Sequence, residues 1–266
     1  MGKSTDLQPL LDLVARLRAP DGCPWDREQR LADLRAYLLE EAHEVAAAID
    51  QEDWDALAEE LGDLLFQVAF VLELGREAGE LDAAEVIEGI HAKMVARHPH
   101  VFGDETQRLA TAEEVRGAWE SRKSRNRQEG TYLLDGIPPS LPALLAAYRM
   151  GQKAAGVGFD WPEAGPVLDK VREELDELEE ALETGGPTDT ERDDAVTEEL
   201  GDLLFSVANL SRKLGRDPEG ALAVTNAKFR RRFASIEQAL ARQGQTPDQV
   251  PPEELEKLWE AAKEAE

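Results

Sequence analysis

Cysteine is nearly missing from this chain. Cys23 is the only one in 266 residues, so no internal disulfide can form and a reducing compartment is compatible. Cys23 itself reads as a buried or partly buried thiol with no base arranged beside it for nucleophilic catalysis. Histidine is almost as scarce, at four residues, so HPH at 98–100 reads as a turn and not as a metal site. No apolar run approaches the ~18 residues of a membrane span, which excludes a transmembrane helix. Positive charge is also short. Thirty Lys and Arg face 56 Asp and Glu for a formal net charge of -26, which argues against nonspecific binding of duplex nucleic acid. An anionic small ligand would need a cation, or local Lys and Arg, beside it. The opening MGKSTDLQPL has no basic-then-apolar signal pattern, and its GKST lacks the upstream glycine and strand of a phosphate-binding loop. Asp6 breaks the myristoylation pattern, so a cytoplasmic location is expected.

What is abundant is Ala, Leu and Glu, which favours helices. Leu31, Leu34, Leu38, Val45 and Ile49 recur at helical spacing, as do Val167, Val171, Leu178 and Leu182. Thr111 with Glu114 reads as a capping box. No stretch has a convincing period of two, so the expected fold class is all-α, with short loops joining antiparallel helices.

The chain is also duplicated. EELGDLLF at 59–66 returns unchanged at 198–205, an offset of 139. Upstream the offset is 133: QPLLDLVARLR at 8–18 lies over LPALLAAYRMG at 141–151, and YLLEEAHEV at 37–45 over KVREELDEL at 170–178. The six extra residues fall in ETGGPTDTERDD at 183–194, read as a loop. EEVRGAWESRK at 113–123 matches EELEKLWEAAK at 253–263. These matches divide the chain into a first domain at 1–123, a linker at 124–139 and a second domain at 140–266.

Most acids must be solvated, but some fall on apolar stripes. Glu41 continues the Leu34–Leu38 stripe, with Glu44 three residues on; Glu174 and Glu177 repeat this after Val167 and Val171. The octamer helix is apolar nearly all round, so it is expected to be largely buried, with Glu60, Asp63 and Gln67 along one edge. Glu199, Asp202, Ser206 and Asn209 form the matching line. A buried carboxylate needs a partner or a metal. Lys93 with Arg97, and Lys228 with Arg232, are the nearest repeated bases, and two bases do not balance four acids. An oxygen-only donor set selects Mg2+, with Mn2+ as the substitute, and Mg2+ commonly shares its shell with substrate phosphates.

With these motifs in place, the chain resembles the MazG family of nucleoside triphosphate pyrophosphohydrolases. CPWDREQ, YLLEEAHEV, EELGDLLFQV, KMVARHPHVF, VGFDW, EELGDLLFSV and NAKFRRRF carry the likeness across both halves. The resemblance implies two tandem four-helix-type domains pairing in a dimeric bundle. It implies hydrolysis of an NTP to the monophosphate and pyrophosphate with Mg2+, broad in base and serving to clear unwanted nucleotides. It implies metal ligands at Glu41, Glu44, Glu60 and Asp63, and at Glu174, Glu177, Glu199 and Asp202. It implies catalytic roles for Glu174, Glu177, Glu199, Asp202, Lys228 and Arg232, with Trp259 and Lys263 near the C-terminus also implicated and Asn209, Asn226, Lys93 and Arg97 expected among the substrate contacts; without the family, Trp259, Trp25, Trp119 and Trp161 read as packing anchors.

The copies differ at Asn209 against Phe70 and at Asn226 against His91, which favours the second copy as the main active site. Alternatives are a narrow enzyme for dUTP or phosphoribosyl-ATP, and a non-enzymatic helical interaction protein. A di-metal oxidase would need Glu-x-x-His motifs, where this chain has Glu-x-x-Glu.

Overall fold

The computed structural model describes residues 7–103, 111, 132–183 and 190–265. The chain divides into two compact units, Met1–Leu109 and Ala110–Glu266. Every regular element among the described residues is helical, as composition and periodicity predict.

The first unit holds α1 (Gln8–Arg18), α2 (Pro24–Glu28), α3 (Leu31–Asp50), α4 (Trp54–Glu77), α5 (Ala83–Arg97) and α6 (Pro99–Phe102). Aspartates start α4 and α5. Asp53 accepts hydrogen bonds from the backbone N–H of Asp55 and Ala56 at the head of α4, and Asp82 from Ala84 and Glu85 at the head of α5. A three-residue link turns α3 back along α4, and the pair forms an antiparallel hairpin on which α1 packs. Val14, Leu34, Ala69, Phe70 and Leu74 make its core.

The second unit holds α7 (Ala143–Ala155), α8 (Ala164–Glu183), α9 (Thr190–Lys213), α10 (Pro218–Ala241), a 3-10 turn (Pro247–Gln249) and α11 (Pro252–Glu264). Here α8 pairs with α9, α7 lies on α9, and α10 packs on α7, α9 and α11. Asp217 starts α10, accepting from the N–H of Glu219 and Gly220, with Pro218 at the first turn. Buried Val167, Ala181, Ala208, Ile236 and Leu240 form the interior. Helix α9 begins at Thr190, inside the segment 183–194 that reads as loop. Trp119, Lys123 and Glu114 lie outside the described residues, so the 113–123 match and the Thr111 cap find no test.

Three burial expectations are corrected. The octamer helix is covered on one side only: Leu61, Leu65 and Val68 are 39–49% exposed on α4, and Leu200, Leu204 and Val207 repeat this on α9. Within one unit these helices have a single neighbouring layer, so an all-round apolar sequence leaves one flank uncovered. Along the stripes, Leu34 and Val167 are buried, whereas Ile49 and Leu182 are exposed. Trp25 is 65% exposed and anchors no core. Cys23 is half-buried, as its setting predicts. HPH is the junction of α5 and α6, where His98 Nδ1 lies 2.6 Å from the carbonyl oxygen of Met94.

Candidate functional site

Hairpin geometry assembles the acids. Glu44 lies six residues before Asp50 at the end of α3, and Glu60 lies six residues after Trp54 at the start of α4. In an antiparallel pair, positions equally far from the turn face each other. The i, i+3 spacing puts Glu41 one turn from Glu44 on the same face. One carboxylate oxygen from each of Glu41, Glu44 and Glu60 lies within 4.8 Å of the others. Glu174, Glu177 and Glu199 form the same group between α8 and α9.

Burial is uneven. Glu174 is 5% exposed, Glu41, Glu60 and Glu199 are half-buried, and Glu44 and Glu177 are exposed. Asp63 and Asp202 are exposed and fall outside the three-oxygen groups, which corrects their expected burial. Asp63 still acts on its neighbours. Desolvation raises the Glu41 carboxyl above the usual glutamate range, with the charges of Asp63 and Glu44 adding to it, while a hydrogen bond from Gln67 opposes. Desolvation likewise raises Glu60, followed by the charges of Glu44, Glu59 and Asp63. Glu177 is raised by desolvation; Lys170 pulls it down and Glu174 pushes it up. Crowded carboxylates of like charge gain from a cation placed among them. The donors are all oxygen, and no Cys or His joins either group, so the residues present fit a hard divalent cation.

The two groups differ in one member that the sequence reading missed. Lys170 Nζ lies 2.8 Å from Glu173 and 2.9 Å from Glu174, and these partners hold its ammonium well above the ordinary lysine value. Tyr37 occupies the matching place in the first half. The i, i+4 spacing of Lys170 and Glu174 is a local signal that could have revealed it.

The bases named from sequence sit elsewhere. Lys93 and Arg97 are on α5, which packs on α6. Lys228 and Arg232 are half-buried on α10, and neither is among the charges that shift Glu177. The Arg232 guanidinium stands 5.7 Å from the Trp259 ring centroid, and Phe229 packs 5.1 Å from the same ring. Trp259 is therefore a half-buried packing partner that holds Arg232. Lys263 is exposed and pairs with Glu260 at 2.8 Å, and Asn226 is exposed on α10.

Asn209 is buried and marks a second feature. Its Oδ1 accepts from Arg212 Nε at 2.8 Å. Arg212 in turn grips Asp160 through both terminal nitrogens, at 3.2 and 2.5 Å, and Lys213 adds a third contact at 2.9 Å. This network ties the turn after α7 to the end of α9, across a span of 52 residues that no local pattern reveals. Beside it opens a cavity of about 890 Å³. Phe70, the counterpart of Asn209, is instead packed in the first unit's core.

The chain matches the MazG nucleotide pyrophosphohydrolase domain over residues 29–102 and 166–235. It is 43% identical over 261 residues to the nucleoside triphosphate pyrophosphohydrolase of Escherichia coli (strain K12), covering 97% of each chain. It is 40% identical over 256 residues to the nucleoside triphosphate pyrophosphohydrolase/pyrophosphatase MazG of Thermotoga maritima, covering 96% of this chain and 95% of that one. The uncharacterized protein YabN of Bacillus subtilis is 39% identical over 255 residues, covering 96% of this chain and 51% of that protein.

Proposed function

This chain belongs to the MazG nucleotide pyrophosphohydrolase family, and from that membership we propose that it hydrolyses nucleoside triphosphates to the monophosphate and pyrophosphate. The observation that carries the reading is the three-glutamate group, formed twice on hairpins of one sequence pattern. A chain with net charge -26 can attract a triphosphate only where its own acids are neutralised. Mg2+ is the proposed cation, with Mn2+ as the substitute.

In the second half, Glu174, Glu177 and Glu199 would hold the cation, with Asp202 one turn further on the same helix face. The bound cation supplies polarisation of the phosphoryl oxygens and a more acidic water. A carboxylate of the group accepts a proton from the attacking water as pyrophosphate leaves. Lys228 and Arg232 balance charge on the phosphates, and Trp259 positions Arg232. Lys263, Asn209 and Asn226 complete the substrate contacts. The first half keeps Glu41, Glu44, Glu60 and Asp63, with Lys93 and Arg97, as a weaker or assembly-directed site.

A homodimer is part of the proposal, and the uncovered flank of the octamer helices supports it. Leu200, Leu204 and Val207, and their repeats Leu61, Leu65 and Val68, form seams that a second copy would cover. Such pairing also offers a way for α10 bases to reach a glutamate group. Broad base tolerance and clearance of unwanted nucleotides from the cytoplasmic pool complete the proposal.

The test is pyrophosphate release from a panel of NTPs, with and without Mg2+, for the wild-type chain, Asp202→Ala and Glu174→Gln. Loss of at least about 100-fold in both variants is expected, the scale of removing an electrostatic group at a reacting phosphate. Near wild-type turnover in Asp202→Ala would sink the assignment of the second half. Cleavage of dUTP or phosphoribosyl-ATP alone would turn the reading to a narrow enzyme.

A further inference from the structure

We propose that the two glutamate groups hold their cation with unequal strength, the first half as a tight, resident site and the second as a weak, exchangeable one, and that Lys170 sets the difference. The inference rests on the proposed divalent cation and adds to it how the two halves share that cation.

Ligand geometry alone would make the groups equal. Glu41, Glu44 and Glu60, and likewise Glu174, Glu177 and Glu199, each bring three carboxylate oxygens within 4.8 Å of one another. Both sets stand on one hairpin pattern, with two glutamates from the first helix and one from the second. What differs is the charge already in place. Lys170 Nζ lies 2.9 Å from Glu174, whose side chain is only 6% exposed, and 2.8 Å from Glu173. The buried member of the second group thus carries an ammonium of its own.

A dication held by Glu174 meets that positive charge, so it enters only by weakening the Lys170–Glu174 pair. Glu173 is 58% exposed and keeps the displaced ammonium, which makes the exchange reversible. A hydrogen bond between ionised groups corresponds to about a tenfold factor in a binding constant. The same pair neutralises Glu174 when no cation is bound, as a carboxylate buried this deeply requires. Lys170 is therefore a positioning residue. It holds Glu174 in the group and lowers the affinity of the group for a metal.

The first half has no ammonium at that position and adds an acceptor instead. Tyr37 stands where the second half has Lys170, and it packs with the core residues Val14, Leu34 and Phe70. The charges acting on Glu41 and Glu60 are those of other carboxylates, Asp63, Glu44 and Glu59. Gln67 donates a hydrogen bond to Glu41, and its Oε1 is buried with no donor to it among the described residues. A water on a bound cation is a donor of the kind this acceptor needs, and such outer contacts commonly strengthen metal binding. Ser206, with a shorter side chain, occupies the matching place in the second half.

The test is a titration of the full-length chain with Mn2+ at physiological salt and without nucleotide, followed by the electron paramagnetic resonance signal of free Mn2+. Wild type is expected to show two classes of site, at least about tenfold apart in affinity. Glu41→Gln should remove the tight class and Glu174→Gln the weak one. Lys170→Met keeps the length and apolar stem but loses the charge, and should tighten the weak class about tenfold. Lys170→Arg, which keeps the charge, should leave that class near wild type. Gln67→Leu should loosen the tight class alone, by about tenfold. Equal affinities in wild type, a tight class lost in Glu174→Gln, or a weak class unchanged in Lys170→Met overturns the proposal. A wild type that binds no Mn2+ refutes the underlying cation instead. Pyrophosphate release does not enter the titration, so a chain inactive on nucleotides refutes only the NTP reading.

Discussion

Asparagine in place of Asp160 removes the carboxylate that pairs with Arg212 and Lys213. Their side chains are only 10% and 14% exposed, and that of Asp160 is 23% exposed. Breaking a fully buried pair costs about 3–5 kcal/mol. Here water reaches the carboxylate, and asparagine keeps one acceptor, so about 2 kcal/mol is the working magnitude. For a unit of this size that corresponds to about 4–8 °C in melting temperature. Calorimetry on the full chain reads it, because the two units can melt separately and only one transition should move. The pH dependence adds a sign. Burial alone would raise the Asp160 pKa, but Arg212 and Lys213 outweigh it and hold the group below its usual value of 3.8. Its stabilisation is then complete above 3.8 and is lost as pH falls through the lowered value. The gap between wild type and Asp160→Asn should be full at neutral pH and shrink in strong acid. If neither transition moves by more than about 1 °C at neutral pH, the network stabilises nothing and the reasoning fails.

Three further outcomes are expected. The carboxyls of Glu41, Glu60 and Glu177 are raised, so their contribution to stability is complete below 4.5 and lost as pH rises through the raised values. Mg2+ at about 100 times its dissociation constant should therefore add about 2.7 kcal/mol near pH 7.5, read as a higher melting temperature, and much less near pH 4.5. Lys170→Met removes the charge that pulls Glu177 down. Its metal-free melting temperature at pH 7.5 should drop and its gain on adding Mg2+ should exceed that of wild type; an equal or smaller gain would show that Lys170 does not compensate the acids. Leu204→Glu places a charge on the seam of α9 where the proposed homodimer pairs, and should lower the mass measured by light scattering without loss of helical circular dichroism; an unchanged mass would refute pairing through this seam.

The helices were legible because their signals are local. Ala, Leu and Glu content and apolar spacing act within a few residues, and α3, α4 and α8 carry the stretches those signals mark. The glutamate groups were also legible. A duplicated Glu-x-x-Glu on one helix and Glu60 or Glu199 on the next need only an antiparallel hairpin to meet. The burial of Asp63 and Asp202 was misjudged, because an apolar helix signals that its flanks want covering but not which flank its own chain covers. Trp25 was misread for the same reason.

Sequence by itself determined the helical class, the twofold repeat and the acids of each group, since each depends on spacing along a single helix or hairpin. Tertiary structure alone decided the differences between the halves. Asp160 and Arg212 meet 52 residues apart beside a cavity, whereas in the first half Arg18 lies over Phe70 and binds Glu77. Such a space is set by side chains on separate helices crossing at one point, and no periodicity along the chain encodes that crossing.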